Sequence, residues 1–217
     1  MTYKNWHDLL VNSNYILVVL NTLLYFIGYR NNSVAYKIIC FYLLLCTIVQ
    51  GYSSYLASFS KPNLFLSHYY FVGQFLLLSL FYKQILKGAI KKKVINLCLL
   101  IVPILVAIIY IVKPEEYLRF NLIEVIITSL PLVFFAFLFF LENLNFSKKF
   151  IYFNSGVFVY LIASTFLFSV GNYIVEAEIA KSITSYVWIL NNIMYSIYLL
   201  LIFVEWYKNF LKPNANK

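Results

Sequence analysis

The chain has 217 residues, 63% of them hydrophobic and 12% charged, with a formal net charge of +9 and a mean hydropathy of +0.81. Soluble domains carry about twice that share of charged residues, so the composition excludes a soluble globular protein and predicts an integral membrane one. Cys40, Cys46 and Cys98 lie in apolar runs with no CxxC or Cys/His grouping. That pattern argues against a disulfide framework or a zinc site and reads them as small core hydrophobes.

The opening MTYKNWHDLL carries an acid and a tryptophan ahead of the first apolar run and has no small-residue cleavage motif. It does not read as a removable signal peptide, and the first span is expected to be retained. A membrane helix needs about 20 largely apolar residues. Seven stretches qualify: 13–29, 37–57, 64–86, 94–112, 120–141, 151–174 and 185–207. They are too long for barrel strands and lack the alternation of a transmembrane barrel, whereas a helix pairs its backbone amides within the span. The expected fold class is all-α, a polytopic membrane bundle of seven transmembrane helices forming one domain over residues 1–217. The connections are short and polar, so no attached soluble domain is expected.

Twelve of the 17 Lys and Arg fall on one side of this layout: Arg30, Lys37, Lys83, Lys87, Lys91, Lys92, Lys93, Lys148, Lys149, Lys208, Lys212 and Lys217. Lys4, Lys61, Lys113, Arg119 and Lys181 fall on the other, with Asp8, Glu115, Glu116, Glu176 and Glu178. The positive-inside rule then predicts an outer N-terminus and a cytoplasmic C-terminus.

Polar groups inside spans are costly and usually face the bundle interior. In chain order, Gln50 lies in the outer half of the second span, His68 near the outer end of the third, and Gln74 deeper in that span. Asn121 and Glu124 open the fifth span and Asn172 closes the sixth. Trp188, Asn191, Tyr195 and Tyr198 form one helical stripe of the seventh, expected to face a ligand cavity. Asn192 and Ser196 fall on a neighbouring stripe suited to helix packing. The plainer alternative is that both asparagines only bridge helices.

Glu124 reads as the only acid clearly inside a span. Such a carboxylate is protonated or paired. Arg119 is poorly placed to pair with it, while His68 lies at a similar depth, so a Glu124–His68 pair acting as ligand contact, proton site or pH-sensitive latch is the sharper reading. The favoured reading leaves Glu124 solvated near the membrane surface and His68 at the interface. Pro103 and Pro131 mark kinks or hinges. Lys83, Lys87, Lys91, Lys92 and Lys93 are expected to contact anionic lipid or a cytoplasmic partner.

Several classes lack their signatures. No lysine occurs between Lys181 and Lys208, which removes a retinal Schiff base in the last span, and no Pro-Gln pair supports a PQ-loop sugar transporter. HExxH, GxSxG and the P-loop are absent, and His7 and His68 are the only histidines. No metal, cofactor or nucleic-acid partner is expected, and catalysis is not favoured.

The segments FYLLLCTIVQGYSSYLASFSKPNLFLSHYYFVGQFLLLSLFYKQIL and WILNNIMYSIYLLLIFVEWYKN resemble, in layout, small seven-helix bacterial membrane proteins. These in turn are similar to the membrane sensing regions that feed histidine kinases and other signalling outputs. The resemblance implies a receptor-like or sensor-like bundle that binds a small or lipophilic ligand in an outward-facing pocket and signals through a separate protein. The alternatives are a small-solute transporter, a lipid-modifying enzyme using Glu124 and His68 as acid and base, or a structural subunit of a membrane complex.

Overall fold

Hydrocarbon offers no partner for a backbone amide, so a chain this apolar must pair its amides internally. The computed structural model describes residues 3–143, 148–176 and 181–211, with side chains described over 8–143, 148–174 and 185–211. Glu178, Lys212 and Lys217 lie outside the described residues, as do the side chains of Lys4, Glu176 and Lys181. Among the described residues there are seven α-helices and no strand: α1 (Tyr3–Ile27), α2 (Val34–Ser58), α3 (Leu66–Ile85), α4 (Ala89–Val112), α5 (Leu122–Glu142), α6 (Ile151–Glu176) and α7 (Lys181–Asn209). Short 3-10 turns occupy Tyr29–Asn31 and Pro114–Leu118.

All of these helices except α3 are long and apolar enough to cross a bilayer, and the protein is an all-helical integral membrane bundle. The 20 residues of α3 give about 30 Å of helix, so length is not what sets it apart. Its hydropathy is lowered by Ser67, His68, Gln74, Ser79, Lys83 and Gln84. The physical reason lies in what each helix faces. Nine residues of α3 are buried, whereas α4, whose window has a mean hydropathy of 2.9, buries only Ile95, Val102 and Val106. Lipid demands apolar side chains, and a protein-facing helix is released from that demand.

The helix ends depart from the expected spans mainly at two N-termini. α1 begins at Tyr3 rather than near residue 13. α4 begins at Ala89, after Gly88 at φ +91°, so Lys91, Lys92 and Lys93 belong to the helix rather than to a loop.

The helices group into two compact units. One contains α1, α6 and α7, and the other is Tyr29–Glu142 with α2 to α5. In the first, three side chains of α1 donate to backbone carbonyls of α7. Asn14 Nδ2 reaches Asn192 O at 3.1 Å, Asn21 Nδ2 reaches Leu199 O at 3.0 Å, and Tyr25 Oη reaches Ile202 O at 3.2 Å. The sequence separations are 178, 178 and 177, so α1 and α7 run parallel and in register. Helix α6 runs antiparallel to α7. Tyr160 stacks on Tyr198 with ring centroids 5.1 Å apart, and Phe168 meets Trp188 at 6.0 Å. Gly156 permits this approach, because a Cβ there would lie 2.7 Å from a Tyr198 ring carbon.

Glu205 fixes where α6 begins. Its carboxylate accepts from Phe150 N at 2.6 Å, Tyr152 N at 3.0 Å, Phe153 N at 3.4 Å and Asn209 Nδ2 at 2.7 Å. These backbone groups include orphan donors of the first helical turn, which favour a negative charge. Glu205 is completely buried, so Glu124 is not the only acid inside a span.

In the second unit α2 and α3 are antiparallel. Gln74 Nε2 donates to Tyr42 Oη on α2 and to Tyr70 Oη one turn back, at 3.0 Å each. α3 and α5 run parallel, with His68 meeting Glu124 at one end and Tyr82 packing on Phe135 further along. α4 runs opposite to α5, Tyr110 meeting Glu124 and Lys91 meeting Glu142.

Candidate functional site

The N-terminal ends of α3 and α5 and the C-terminal end of α4 come together around Glu124. Asn121 starts the arrangement by accepting Glu124 N at 3.1 Å through its side-chain oxygen, an N-cap bond that opens α5. In a capping box the acid three residues on would fold back onto the cap. Here the Glu124 carboxylate turns to the neighbouring helices instead. Its Oε2 lies 2.5 Å from His68 Nδ1 and accepts from Tyr110 Oη at 2.6 Å, and Tyr110 Oη is 2.7 Å from His68 Nδ1. His68 Nε2 lies 2.9 Å from Tyr117 O.

Glu124 has no solvent exposure and His68 has 5%, so the carboxylate is not solvated at a membrane surface. Aromatic rings close over the pair. Tyr117 stacks on His68 at 5.4 Å and meets Tyr110 edge-on at 5.9 Å, and its hydroxyl is 2.8 Å from that of Tyr69. Outside the helices, the Tyr117 phenol is pushed above its ordinary pKa, chiefly by this bond to Tyr69. Glu124 Oε1 is buried and has no hydrogen-bond partner among the described residues.

The protonation of the pair follows from its partners. A carbonyl oxygen only accepts, so His68 Nε2 must carry hydrogen. Nδ1 and Oε2 at hydrogen-bond distance then require one proton between them. Whether it rests on nitrogen or oxygen, the pair is neutral overall. Three helix ends are thus tied through one carboxylate oxygen, while the other oxygen of that carboxylate is unused.

The nine residues expected at a ligand pocket divide between the units. Gln50, His68, Gln74, Asn121 and Glu124 belong to the second, where His68, Asn121 and Glu124 meet, Gln74 is engaged by Tyr42 and Tyr70, and Gln50 is half-buried on α2. Asn172, Trp188, Asn191 and Tyr195 belong to the first. There Trp188 is 46% exposed, and Tyr195 is buried with its ring 5.3 Å from Tyr160. Asn172 is half-buried on α6, and Asn191 Oδ1 is a buried acceptor without a partner among the described residues. Asn192 and Ser196 engage Asn14, Ser196 Oγ donating to Asn14 Oδ1 at 2.7 Å.

At the opposite end of the second unit, Glu142 accepts from Lys91 Nζ at 2.5 Å and from Lys87 N at 3.1 Å. Lys87, Lys92 and Lys93 are exposed, and Lys83 is half-buried. No group of His, Cys, Asp and Glu among the described residues is arranged to hold a metal ion.

Tyr110, Glu205, Asn14 and Asn21 are the residues sequence reasoning passed over. Asn14, Asn21 and Tyr25 carried a detectable signal, since their spacing of seven and four marks a single helical face. Tyr110 had none, because a tyrosine at a helix end reads equally as an interfacial anchor. No protein-family model, curated protein or solved structure matches the chain. The class defined here rests on composition, helices and packing: an integral membrane helical bundle with a buried carboxylate–imidazole–phenol cluster.

Proposed function

We propose that the protein is a receptor-like bundle of a bacterial inner membrane that detects a ligand at the His68–Glu124–Tyr110 cluster and passes the change to a separate signalling protein. The observation that carries this reading is the buried Glu124 carboxylate, one oxygen of which joins α3, α4 and α5 while the other has no partner. A group that engages this carboxylate changes the bonds between three helix ends, which is how a ligand shifts a bundle between two states of unequal affinity. Lys87, Lys92 and Lys93, exposed at the far end of the same unit, offer a surface to anionic lipid or to the partner.

Seven crossings are part of the proposal. Parallel packing of α1 and α7 favours an odd number of crossings from the first to the last, and the six apolar helices supply an even number. A crossing by α3 resolves the parity, and its burial accounts for its lower hydropathy. With the Lys and Arg bias inward, the cluster faces outward.

The test is gentle solubilisation from native membranes, followed by identification of copurifying protein and small molecules. Recovery of a stoichiometric signalling protein whose output is altered by Glu124→Ala supports the reading. A folded Glu124→Ala protein with unchanged partner, bound molecules and output refutes it.

A further inference from the structure

The receptor reading leaves the ligand open, and the geometry at Glu124 bears on its size. Oε1 is buried and Glu124 exposes none of its surface, so the closed cluster leaves no room for a molecule as large as water at that oxygen. A bound proton needs no such room. We propose, on the basis of the receptor reading, that the ligand of this site is the proton: one rests on His68 Nδ1, which donates it to an ionised Glu124 Oε2, and the vacant Oε1 accepts a second.

The chemistry balances with water alone. A hydronium ion admitted as the cluster opens gives its proton to a lone pair of Oε1 and leaves as water, the first proton stays on His68 Nδ1, and the cluster passes from neutral to a charge of +1. The Nδ1–H and Tyr110 hydroxyl then donate to the carbonyl oxygen of a neutral acid. Bonds to an ionised acceptor are roughly twice as strong as bonds to a neutral one, so the tie between α3, α4 and α5 loosens on acidification. Removing the shared proton loosens it too, because the lone pairs of Nδ1 and Oε2 then face each other and the Tyr110 hydroxyl can donate to only one. The tie is strongest when the pair holds a single proton, and its strength is bell-shaped in pH.

Other ionisable groups nearby are separable. Tyr110 on α4 bonds the pair directly, and Tyr69 on α3 bonds Tyr117. Lys61 before α3, and Lys113, Glu115 and Arg119 between α4 and α5, are exposed, while Glu116 and Tyr117 are half-buried. Within the span, α5 adds only the neutral Thr128, whose Oγ1 donates to Glu124 O at 2.8 Å. Glu115 and Glu116 are common to wild type and the Glu124 variant, so a Glu124-dependent difference isolates the site.

The experiment is infrared spectroscopy and thermal unfolding of the full chain in lipid nanodiscs across a pH series, for wild type, Glu124→Gln and Tyr110→Phe. Glutamine keeps the shape and an acceptor oxygen without the titration. In wild type, acidification should bring up the carbonyl band of a protonated carboxylic acid and lower the Tm by about 2–8 °C. Glu124→Gln should lack both changes. Tyr110→Phe, with one donor to the carboxylate removed, should show them at higher pH. The proposal is overturned if the Glu124→Gln profile superimposes on that of wild type. Should Glu124→Gln not fold, an unmoved acid flank in Tyr110→Phe overturns it equally. If both profiles match wild type but Glu124→Gln loses a copurifying small molecule, the receptor reading stands and the proton assignment falls.

Discussion

Replacing Glu205 with alanine tests the packing of the first unit at its most concentrated point. The substitution removes the acceptor for Phe150 N at 2.6 Å, Tyr152 N at 3.0 Å and Asn209 Nδ2 at 2.7 Å, and for a longer contact from Phe153 N. Each buried N–H left without a partner costs roughly 1–3 kcal/mol. Two well-formed backbone donors are orphaned, and Phe150 is only 7% exposed, which limits rescue by water. A loss of about 3 kcal/mol follows, roughly a hundredfold in the folded population. Glu205→Gln retains one carbonyl oxygen but turns an NH2 towards a backbone N–H, so it should cost about half as much. Asn209→Ala should cost under about 1 kcal/mol, since it removes a single donor and leaves the helix capped. Equilibrium unfolding in mixed micelles measures these losses, and hydrogen exchange at residues 150–153 localises them. A Glu205→Ala protein within about 0.5 kcal/mol of wild type, with unaltered exchange there, would refute the capping argument.

Three further outcomes are expected. Asn14→Leu and Asn21→Leu should each destabilise by about 0.6 kcal/mol and by no more than about 1.7. They should be nearly additive in a double-mutant unfolding series, because two helical turns separate them. Gly156→Ala should cost about 1–3 kcal/mol in the same assay, since the new methyl meets the Tyr198 ring at 2.7 Å and that ring is held by its stack on Tyr160. In a background without native cysteines, Lys61→Cys and Lys87→Cys flank α3, and an impermeant thiol reagent on sealed proteoliposomes should label them from opposite sides. Labelling of both from one side would show that α3 does not cross.

The helices were legible because lipid imposes one rule on every side chain that faces it. Six apolar runs became six apolar helices, and the departures came where that rule gives way. α3 is shielded by its neighbours and carries His68, Gln74 and Ser79 inward, so its run is weaker. Lys91 to Lys93 sit within α4 because their long side chains extend from a helix end to water or, for Lys91, to Glu142. Depth along a span could set His68 level with Glu124, because depth follows from counting residues. Tyr110 as the third member could not be found this way, because contact between helices depends on their order and rotation. Glu205 lay in plain view in FVEW, but an acid near a span end reads as interfacial until a helix N-terminus is seen over it.

The seam between α1 and α7 has a consequence for biosynthesis. Its two sides are the first and last of the seven described helices in chain order, whereas α2 to α5 form a contiguous unit that can close as soon as α5 emerges. Translation proceeds at roughly 5–20 residues per second, so α1 waits roughly 10–40 s for the segment that accepts Asn14, Asn21 and Tyr25. During that interval two asparagines sit in lipid with no α7 carbonyl to bind. The polar face of α1 therefore stays unmatched through most of synthesis, and the seam can form only once α7 is in place.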